Sequence, residues 1–435
     1  MSIAIYTLGC KVNTYESNVI MEQFQKLGYQ QVKENADVAV INTCSVTNTA
    51  SRKSIKIIHQ AIRKNPNAVI VVCGCMSQVE TDEIKKIDGV HVILGNWGKS
   101  QIPDFVNEYL EKKEQIISLK PLEKVQFECM QLENFNRTRA FIKIQDGCEN
   151  FCSYCIIPYA RGHVRSRSKE DIIKEAKSLI QNGHHEIVLT GIHTGHYGSD
   201  LEDYHFSDLL YDLLQIEGLE RLRISSIEMN EITDEVIELM KQYPVLVDHM
   251  HIPLQSGCDK ILKLMHRKYD LKEFEQKLKD IRAVRPEISI TTDVIVGFPT
   301  ETEEDFLETI ETVQKFQFSK IHVFPYSRRK GTVADEMDGQ IDERVKKERT
   351  RRLIAVSETL EKTYREKFLN RVVTVIPETY KDGMLVGHTG NYLLVKVPGD
   401  ESFLHQTITV KLVGEEGMYM MGTFVSSLSE SSILC

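Results

Sequence analysis

Hydrophobic and polar residues follow two different periods along the first third of the chain. Short apolar, β-branched runs predict strands at residues 3–8, 37–42, 69–72 and 91–94. Longer amphipathic stretches between them predict helices at residues 15–27, 47–63 and 78–86. This alternation is typical of a parallel sheet with helices on its faces. We therefore expect residues 1–115 to form an N-terminal parallel α/β domain, followed by a polar linker or short edge element at residues 111–127.

The alternation of strands and helices restarts at Arg139 with longer helices. Strands are predicted at residues 140–144, 186–190, 221–225, 249–254, 289–296 and 320–324. Helices are predicted among them at residues 169–182, 206–216, 234–242, 271–284 and 303–316. Six strand–helix units predict a partial (β/α)6 barrel over residues 134–365. In such barrels the functional residues gather at the carboxyl ends of the strands.

A helical stretch rich in basic residues, 342–367, precedes a segment with a different pattern. Apolar and polar residues alternate there in short runs at residues 372–376, 384–388, 392–397 and 407–412. Gly and Asp turns separate the runs, as in Lys381-Asp382-Gly383. The pattern predicts a small antiparallel all-β barrel over residues 371–435.

The composition is that of a globular protein, with 41% hydrophobic and 27% charged residues. No apolar run approaches the ~18–20 residues that cross a bilayer, and the first apolar run lacks the basic region of a signal peptide. We therefore expect a cytoplasmic protein with no membrane partner. Cytosolic thiols stay reduced, so the ten cysteines indicate metal binding or catalysis in preference to disulfides.

Three of these cysteines, Cys148, Cys152 and Cys155, lie within eight residues of one another. Their spacing would place them on one face of a helix, so three buried helical cysteines are one interpretation. Gly147 before them, Pro158 after them and the predicted strand at residues 140–144 instead favour a loop at the carboxyl end of a strand.

The number of thiols distinguishes between two kinds of metal site. A structural zinc site takes four protein ligands, and His163, the nearest other candidate, lies beyond Pro158. Three thiolates instead suit a 4Fe-4S cluster with one iron left open. An open iron can bind the amino and carboxylate groups of S-adenosylmethionine, and Tyr154 is placed to pack against its adenine.

A second set of cysteines follows the first three predicted strands. Cys10, Cys44 and Cys75 each come at the carboxyl end of a parallel strand, and such ends converge on one crevice. We therefore predict a second cluster held by these thiols. Cys73 lies inside the apolar run and fits a buried structural thiol. The choice of Cys75 over Cys73 depends on strand-end position alone.

The central motif, Cys-x3-Cys-x2-Cys with an aromatic residue before the last cysteine, resembles the signature of the radical S-adenosylmethionine superfamily. From end to end the chain resembles the methylthiotransferases of that superfamily, which join a cluster domain, a radical barrel and a C-terminal TRAM-type barrel. The motifs that carry this resemblance lie at residues 189–195, 251–257, 265–269, 292–302, 326–329 and 331–334. The resemblance implies two 4Fe-4S clusters and a 5′-deoxyadenosyl radical that replaces hydrogen on an unactivated carbon with a methylthio group.

The resemblance also implies residues for the cofactor site. We expect cofactor binding by Tyr154, Thr190, Gly191, His193, Gln255 and Gly297. For His193, Gln255, Arg328 and Arg329, direct contact with substrate or cofactor and support of a neighbouring residue stay equal alternatives. Relatives usually have a small residue at Cys258, which we predict to be packed. Cys129 and Cys435 are predicted not to be ligands.

Members of this family modify tRNA adenosines beside the anticodon or an aspartate of a ribosomal protein. The formal net charge of −9 argues against general coating of nucleic acid. However, residues 344–371 contain ten Lys or Arg and four Glu and adjoin the predicted β-barrel, a fold class that often binds nucleic acid. A solvated helix face is the alternative interpretation of this run. Residues 10–17 and 44–50 resemble the branch that acts on threonylcarbamoyladenosine.

The leading hypothesis is a tRNA methylthiotransferase that converts N6-threonylcarbamoyladenosine in the anticodon loop to its 2-methylthio derivative, with a flavodoxin or ferredoxin as electron donor. The alternatives are methylthiolation of another tRNA adenosine or of a ribosomal protein. A non-enzymatic alternative is an iron–sulfur electron carrier or RNA-binding protein. Electron carriers usually use four Cys per 4Fe-4S cluster, so two groups of three argue against that alternative.

Overall fold

The computed structural model describes residues 1–122, 125–133, 135 and 137–425. Cys435 lies outside the described residues. None of the described helices is long and apolar enough to cross a membrane.

The N-terminal region forms a parallel sheet flanked by helices, as predicted. Its elements are β1 (Ser2–Thr7), α1 (Lys11–Lys26), β2 (Gln30–Gln31), β3 (Val38–Thr43), α2 (Asn48–Lys64), β4 (Val69–Gly74), α3 (Cys75–Val79), α4 (Thr81–Lys85), β5 (Val92–Leu94), α5 (Ile102–Lys112) and β6 (Ile116–Ser118). The strands lie in the order β2-β1-β3-β4-β5-β6 and pair in parallel. β3 and β4 are buried along their whole length, as strands covered on both faces should be.

Several elements of this region differ from the predictions. α1 begins four residues before the predicted start because Cys10 is its N-cap. The helix predicted at residues 78–86 is divided at Glu80 into α3 and α4. α5 was not predicted, whereas β6 lies in the stretch where an edge element was expected. β6 has only three residues, and all of them are partly exposed. Such a short pattern cannot distinguish a strand from a polar linker, so both were expected.

The central region is a partial barrel of parallel strands. Its strands are β7 (Arg139–Lys143), β8 (Gln145–Asp146), β9 (Arg165–Ser166), β10 (Glu186–Thr190), β11 (Arg221–Ile224), β12 (His249–His251), β13 (Ser289–Val296) and β14 (Lys320–Pro325). Its helices are α6 (Ile157–Arg161), α7 (Lys169–Gln181), α8 (Phe206–Leu214), α9 (Asp234–Gln242), α10 (Asp259–Leu264), α11 (Leu271–Val284), α12 (Glu303–Phe316) and α13 (Val333–Glu336).

Six of these strands form two parallel sheets, in the orders β11-β10-β7 and β12-β13-β14, and β8 and β9 form a separate antiparallel pair. An isolated parallel bridge between Leu222 and Leu246 joins the two parallel sheets beside β11. β7 and β14 are therefore the end strands of an open barrel. All the strands predicted for the barrel are present, which confirms the partial (β/α)6 architecture.

α14 (Glu343–Glu366) leads into a closed C-terminal barrel. Its strands are β15 (Val372–Lys381), β16 (Met384–Thr389), β17 (Leu394–Pro398), β18 (Ile408–Glu416) and β19 (Tyr419–Phe424). They close in the order β15-β16-β17-β19-β18, with β17 and β19 paired in parallel. The all-β TRAM-type barrel is confirmed. β19 was not predicted, and its parallel pairing departs from the expected antiparallel arrangement.

The three regions pack on one another. The C-terminal barrel lies against the amino ends of β7 and β11, where Arg221 donates to the carbonyl oxygen of Thr374 at 2.9 Å. Arg223 donates to the carbonyl oxygen of Gly390 at 2.9 Å. On the other side, the buried Tyr15 of α1 donates to the carboxylate of Glu175 on α7 at 3.0 Å. The open barrel is thus bordered by both other regions.

Candidate functional site

The central cysteines lie on a loop that follows β7 and β8. Cys148, Cys152 and Cys155 are half-buried and lie outside any helix, so the helix-face interpretation is wrong. Gly147 opens the loop at φ +80°, and a Cβ there would lie 1.8 Å from the carbonyl oxygen of His163. The loop conformation therefore requires glycine at this position.

The three thiols interact with one another and with nitrogen donors. Burial, reinforced by the neighbouring thiolates, raises the pKa of Cys148 to about 11 and that of Cys155 to about 12. Arg267 donates to the sulfur of Cys152 at 3.4 Å, and His193 Nδ1 lies 3.6 Å from the sulfur of Cys148. Iron would neutralise such mutually repelling thiolates, and hydrogen bonds to sulfur are typical of cluster sites. The donor set fits a 4Fe-4S cluster with three protein ligands.

The sequence did not predict two residues that lie beside this loop, Glu231 and His196. A carboxylate oxygen of Glu231 contacts Nε2 of His193 and lies 3.3 Å from Nε2 of His196, whose ring stacks on His193 at 3.9 Å. Burial lowers the pKa of His193 to about 4 and raises that of Glu231 to about 7. Arg267, by contrast, falls inside the motif at residues 265–269, so the sequence did carry a signal for it.

The other predicted cofactor residues occupy different surroundings. Thr190 and Gly191 lie at the carboxyl end of β10 and line a cavity that is described below. Tyr154 packs beside an apolar cluster that includes Phe298, and burial raises the pKa of its hydroxyl well above the ordinary value. Gln255 has φ +67° and pairs with Val294 of β13 by an isolated bridge.

Gly297 and the two arginines of residues 326–329 have structural contacts. A Cβ on Gly297 would lie 2.4 Å from the Lys346 side chain, so glycine lets α14 approach β13. Arg329 is buried and ion-paired with Glu80 of the N-terminal region. Arg328 is half-exposed and bonds Asp335 at 2.8 Å. Both arginines contact protein groups.

The N-terminal cysteines lie at the carboxyl ends of adjacent strands. Cys10 caps α1 after β1, Cys44 follows β3, and Cys75 begins α3 after β4. Burial, reinforced by the charges of Cys75 and Cys10, raises the pKa of Cys44 to about 11. Cys73 is fully buried in the apolar core with Val71. The structure therefore brings the three predicted thiols together and leaves Cys73 facing the core.

Arg161 of α6 connects the N-terminal thiols to the central region. Its guanidinium is fully buried and donates to the sulfur of Cys75 at 3.4 Å. It also donates to Glu16 at 3.0 Å and to Asp146 at 3.1 Å. Lys143 bonds the same two carboxylates at 2.9 and 2.6 Å.

Lys99 is ion-paired with Glu16 as well. Arg165 lies 3.8 Å from Asp146, so four cations surround two carboxylates in the described part of this network, and two positive charges are left over beside the thiols. These cations hold the pKa of Glu16 well below its ordinary value despite burial. A surplus positive charge matches a site for anionic thiolates, so this donor set also fits an iron–sulfur cluster.

The remaining cysteines have protein contacts. Cys258 is buried, with its sulfur 3.6 Å from Asp305. Cys129 is exposed and lies 3.4 Å from Asp171.

A cavity of about 830 Å³ lies where the three regions meet. Its walls include Cys10 and Lys11 of the N-terminal region, Thr190 and Gly191 at the strand ends, and Tyr392 of the C-terminal barrel. This volume lies within the range of small-molecule sites in proteins. We call it the central cavity.

The partial barrel and its three-cysteine loop define the radical S-adenosylmethionine class of proteins, and the model of the radical SAM superfamily matches residues 142–313. The model of the uncharacterized protein family UPF0004 matches residues 2–95. The threonylcarbamoyladenosine tRNA methylthiotransferase MtaB of Bacillus subtilis (strain 168) is 45% identical, covering 98% of this chain and 96% of its own. The chain belongs to the tRNA methylthiotransferase family of radical S-adenosylmethionine enzymes.

Other relatives agree with this assignment. MtaB of Thermotoga maritima is 37% identical, covering 96% of each chain. The tRNA-2-methylthio-N(6)-dimethylallyladenosine synthase of Thermoanaerobacter sp. (strain X514) is 36% identical, covering 97% of this chain and 92% of its own. The radical S-adenosylmethionine methyltransferase TsrM of Kitasatospora setae shares the fold, with a TM-score of 0.56, 13% identity and 77% of each chain covered. The radical S-adenosylmethionine fold implies one 4Fe-4S cluster and S-adenosylmethionine.

Proposed function

We propose that this enzyme converts N6-threonylcarbamoyladenosine beside the anticodon of tRNA to its 2-methylthio derivative. The observation that carries the proposal is that Cys10 and the strand-end residues Thr190 and Gly191 line the same cavity. A base held there would lie between Cys10 of the N-terminal region and the strand ends of the central region. Identity to the two MtaB relatives supports this substrate.

In this proposal Cys148, Cys152 and Cys155 hold one 4Fe-4S cluster, and Cys10, Cys44 and Cys75 hold a second. The first cluster would supply the electron for reductive cleavage of S-adenosylmethionine, and the second would carry or activate the sulfur that is transferred. Two groups of three thiols, each bonded by an arginine, support this assignment.

The surrounding residues orient the thiols and exclude water. Arg267 is held by Glu228, so its guanidinium stays directed at Cys152. Arg161 is held in the same way by Glu16 and Asp146 and directs its Nε–H at Cys75. Because both guanidinium groups are almost fully buried, the hydrogen bonds to sulfur are shielded from solvent.

S-adenosylmethionine is assigned to the region between the central loop and the strand ends at Thr190 and Gly191. The location of Tyr154, in the loop between two of the cysteines, supports a contact with the adenine. His193 follows β10 and Gln255 follows β12, so both lie beyond the carboxyl ends of barrel strands. In this proposal a flavodoxin or ferredoxin donates the electron. The enzyme acts in the cytoplasm, where tRNA is modified.

Mass spectrometry of tRNA nucleosides tests this proposal. A strain that lacks the gene should lose 2-methylthio-threonylcarbamoyladenosine and accumulate its precursor. The intact gene should restore the product, and the Cys152→Ala variant should not. An undiminished product in the deletion strain would contradict the proposal. Loss of a 2-methylthio-dimethylallyladenosine product instead would favour the activity that the name of the Thermoanaerobacter relative states.

A further inference from the structure

Lys11 is a cation of the central cavity without a carboxylate partner. It is the first residue of α1 and lines the cavity beside Cys10. Within residues 1–122, 125–133, 135 and 137–425, no acidic group lies within ion-pair distance of its ammonium. The other Lys of the cavity wall, Lys320, bonds Glu361 at 3.3 Å. An ammonium removed from bulk water without a partner is unfavourable, so Lys11 is arranged for an anion that the protein does not provide.

The charges around Lys11 strengthen this argument. Arg139 and Arg223 act on it most strongly, and both are positive. Each of them already has a protein carboxylate, Glu378 for Arg139 and Glu186 for Arg223. Cys10, a predicted cluster ligand, and Asp293 also act on Lys11, but Asp293 lies 3.3 Å from Nε2 of His251. The wall around Lys11 therefore has a positive potential that its own carboxylates leave uncompensated.

His249 is a second polar residue of the cavity, and one of its ring nitrogens lacks a hydrogen-bond partner among the residues described. His249 lines the cavity with 8% of its surface exposed, and this nitrogen is Nδ1. Its other ring nitrogen lies 3.4 Å from Thr291. A buried unpaired nitrogen costs free energy unless a ligand or water satisfies it. Lys11 and His249 thus offer two unused polar groups in one cavity.

We propose that Lys11, together with His249 Nδ1, binds the carboxylate of the threonylcarbamoyl group and selects this substrate. The proposal rests on the proposed function and adds the group that is recognised. A dimethylallyl group carries no charge and would leave Lys11 unpaired. Because Lys11 follows Cys10, an N6 substituent bound to it holds the adenine beside the N-terminal thiols.

An RNA phosphate has the same anionic chemistry, so the test must separate two sources of the anion. Binding is measured with the holoenzyme in the absence of S-adenosylmethionine. The probes are one tRNA sequence with and without the threonylcarbamoyl group. The wild-type enzyme should prefer the modified tRNA by about tenfold or more, the usual strength of a charge-assisted hydrogen bond. Lys11→Gln should remove this preference, and Lys11→Arg should retain part of it.

Two results with this variant would overturn the proposal. Either Lys11→Gln keeps the preference for the modified tRNA, or it loses affinity for both tRNAs equally, which would identify a phosphate contact. Iron content must match the wild type, because Lys11 is adjacent to a predicted cluster ligand. If the variant does not hold iron, the wild-type enzyme still provides a test.

For that test, the nucleoside N6-threonylcarbamoyladenosine and its methyl ester compete with modified tRNA for the wild-type enzyme. The free carboxylate should compete at a concentration about tenfold lower than the ester. Equal competition would overturn the proposal. A wild-type enzyme that binds threonylcarbamoyladenosine through the carboxylate but forms no methylthio product would instead contradict the proposed function, so the two failures are distinguishable.

Discussion

Cys73 and Cys75 are two residues apart and have different surroundings. Cys73 is the last but one residue of β4 and packs in the apolar core. Cys75 begins α3 after Gly74, whose φ of +103° turns the chain. A Cβ on Gly74 would lie 2.6 Å from the carbonyl oxygen of Thr43, so only glycine fits this turn. The turn directs Cys75 toward Cys10 and Cys44.

Cys73 and Cys75 provide a matched comparison that tests the proposed second cluster. Cys75→Ala should halve the iron content of the anaerobically reconstituted enzyme, leaving about four irons per chain. Cys73→Ala should keep about eight irons and lower the free energy of unfolding by about 1 kcal/mol. Colorimetric iron determination and urea unfolding measure both effects. Full iron in Cys75→Ala, or its loss in Cys73→Ala, would reverse the assignment.

The sequence identified the cysteines of the site but not their arginine partners. The spacing of Cys148, Cys152 and Cys155 is local, so the motif is visible in the chain. Arg161 lies 86 residues from Cys75, and Arg267 lies 115 residues from Cys152. Contacts over such separations depend on how helices and loops pack, and no periodic pattern records them.

A buried ion-pair network connects β10 and β11 near their amino ends, beside the C-terminal barrel. Glu186 bonds Arg223 at 2.6 Å and Arg221 at 3.5 Å. Both arginines also donate to carbonyl oxygens of the C-terminal barrel. Burial raises the pKa of Glu186, but the three arginines around it outweigh burial and lower the pKa below its ordinary value. The ionised carboxylate therefore stabilises the fold.

This network predicts a pH dependence of stability. Because Glu186 binds its proton less tightly in the folded chain, its stabilisation is fully present above pH ~4.3 and is lost as the pH falls further. Glu186→Gln should lower the free energy of unfolding by about 3–5 kcal/mol at pH 7, since it leaves buried arginines unpaired. The difference from the wild type should narrow as the pH falls below ~4.3. Denaturant unfolding of both proteins at several pH values measures it, and a constant difference would contradict the prediction.

Elements with strong local signals were predicted best. The bounds of α11 and α12 agree with the prediction, and both begin with capping boxes, at Asp270 with Glu273 and at Thr302 with Asp305. β13 is long and mostly buried, and its bounds also agree. α3 and α4 have only five residues each, which is too short for a helical period to show in the sequence. Their bounds follow from packing at the cysteine site.

For the whole molecule, Arg161 joins the N-terminal sheet to the barrel through Glu16 and Asp146. Arg161→Met should lower the free energy of unfolding by about 3–5 kcal/mol, because it leaves buried carboxylates with fewer cations. Arg328→Met removes a half-exposed arginine paired with Asp335 and should change stability by less than about 0.5 kcal/mol. Equal stability of the two variants in denaturant unfolding would show that the network does not hold the regions together.

The basic run at residues 344–371 is less available for RNA than its composition suggests. Arg349 bonds Glu301 at 2.6 Å, and Arg352 bonds Glu303 at 2.6 Å. Lys346 is buried and bonds Glu343 at 2.7 Å. Arg349 and Arg352 therefore attach α14 to the barrel, whereas Lys346 pairs with a residue of α14 itself. The sequence could count these charges but could not identify their partners.

The C-terminal barrel offers an aromatic surface instead. The rings of Phe403 and Phe424 lie 5.0 Å apart, and each side chain is more than a third exposed. Phe403→Ala should weaken tRNA binding by about 1–3 kcal/mol if a base stacks there. Val413→Ala, at an exposed apolar position of the same barrel, should have little effect. Filter binding measures both affinities, and equal values for the two variants would exclude stacking at this pair.

The Arg161 network also has a consequence for protein synthesis. Glu16 leaves the ribosome 145 residues before Arg161, which corresponds to roughly 7–30 s of translation at 5–20 residues per second. Once Cys75 has been made, 86 residues before Arg161, the nascent N-terminal sheet contains Cys10, Cys44 and Cys75 but lacks the guanidinium that contacts Cys75 and Glu16. The thiol site is therefore completed only after the central loop has been translated. Iron–sulfur loading of the N-terminal thiols is expected to follow synthesis of the barrel, so both clusters would be installed at the same stage of biogenesis.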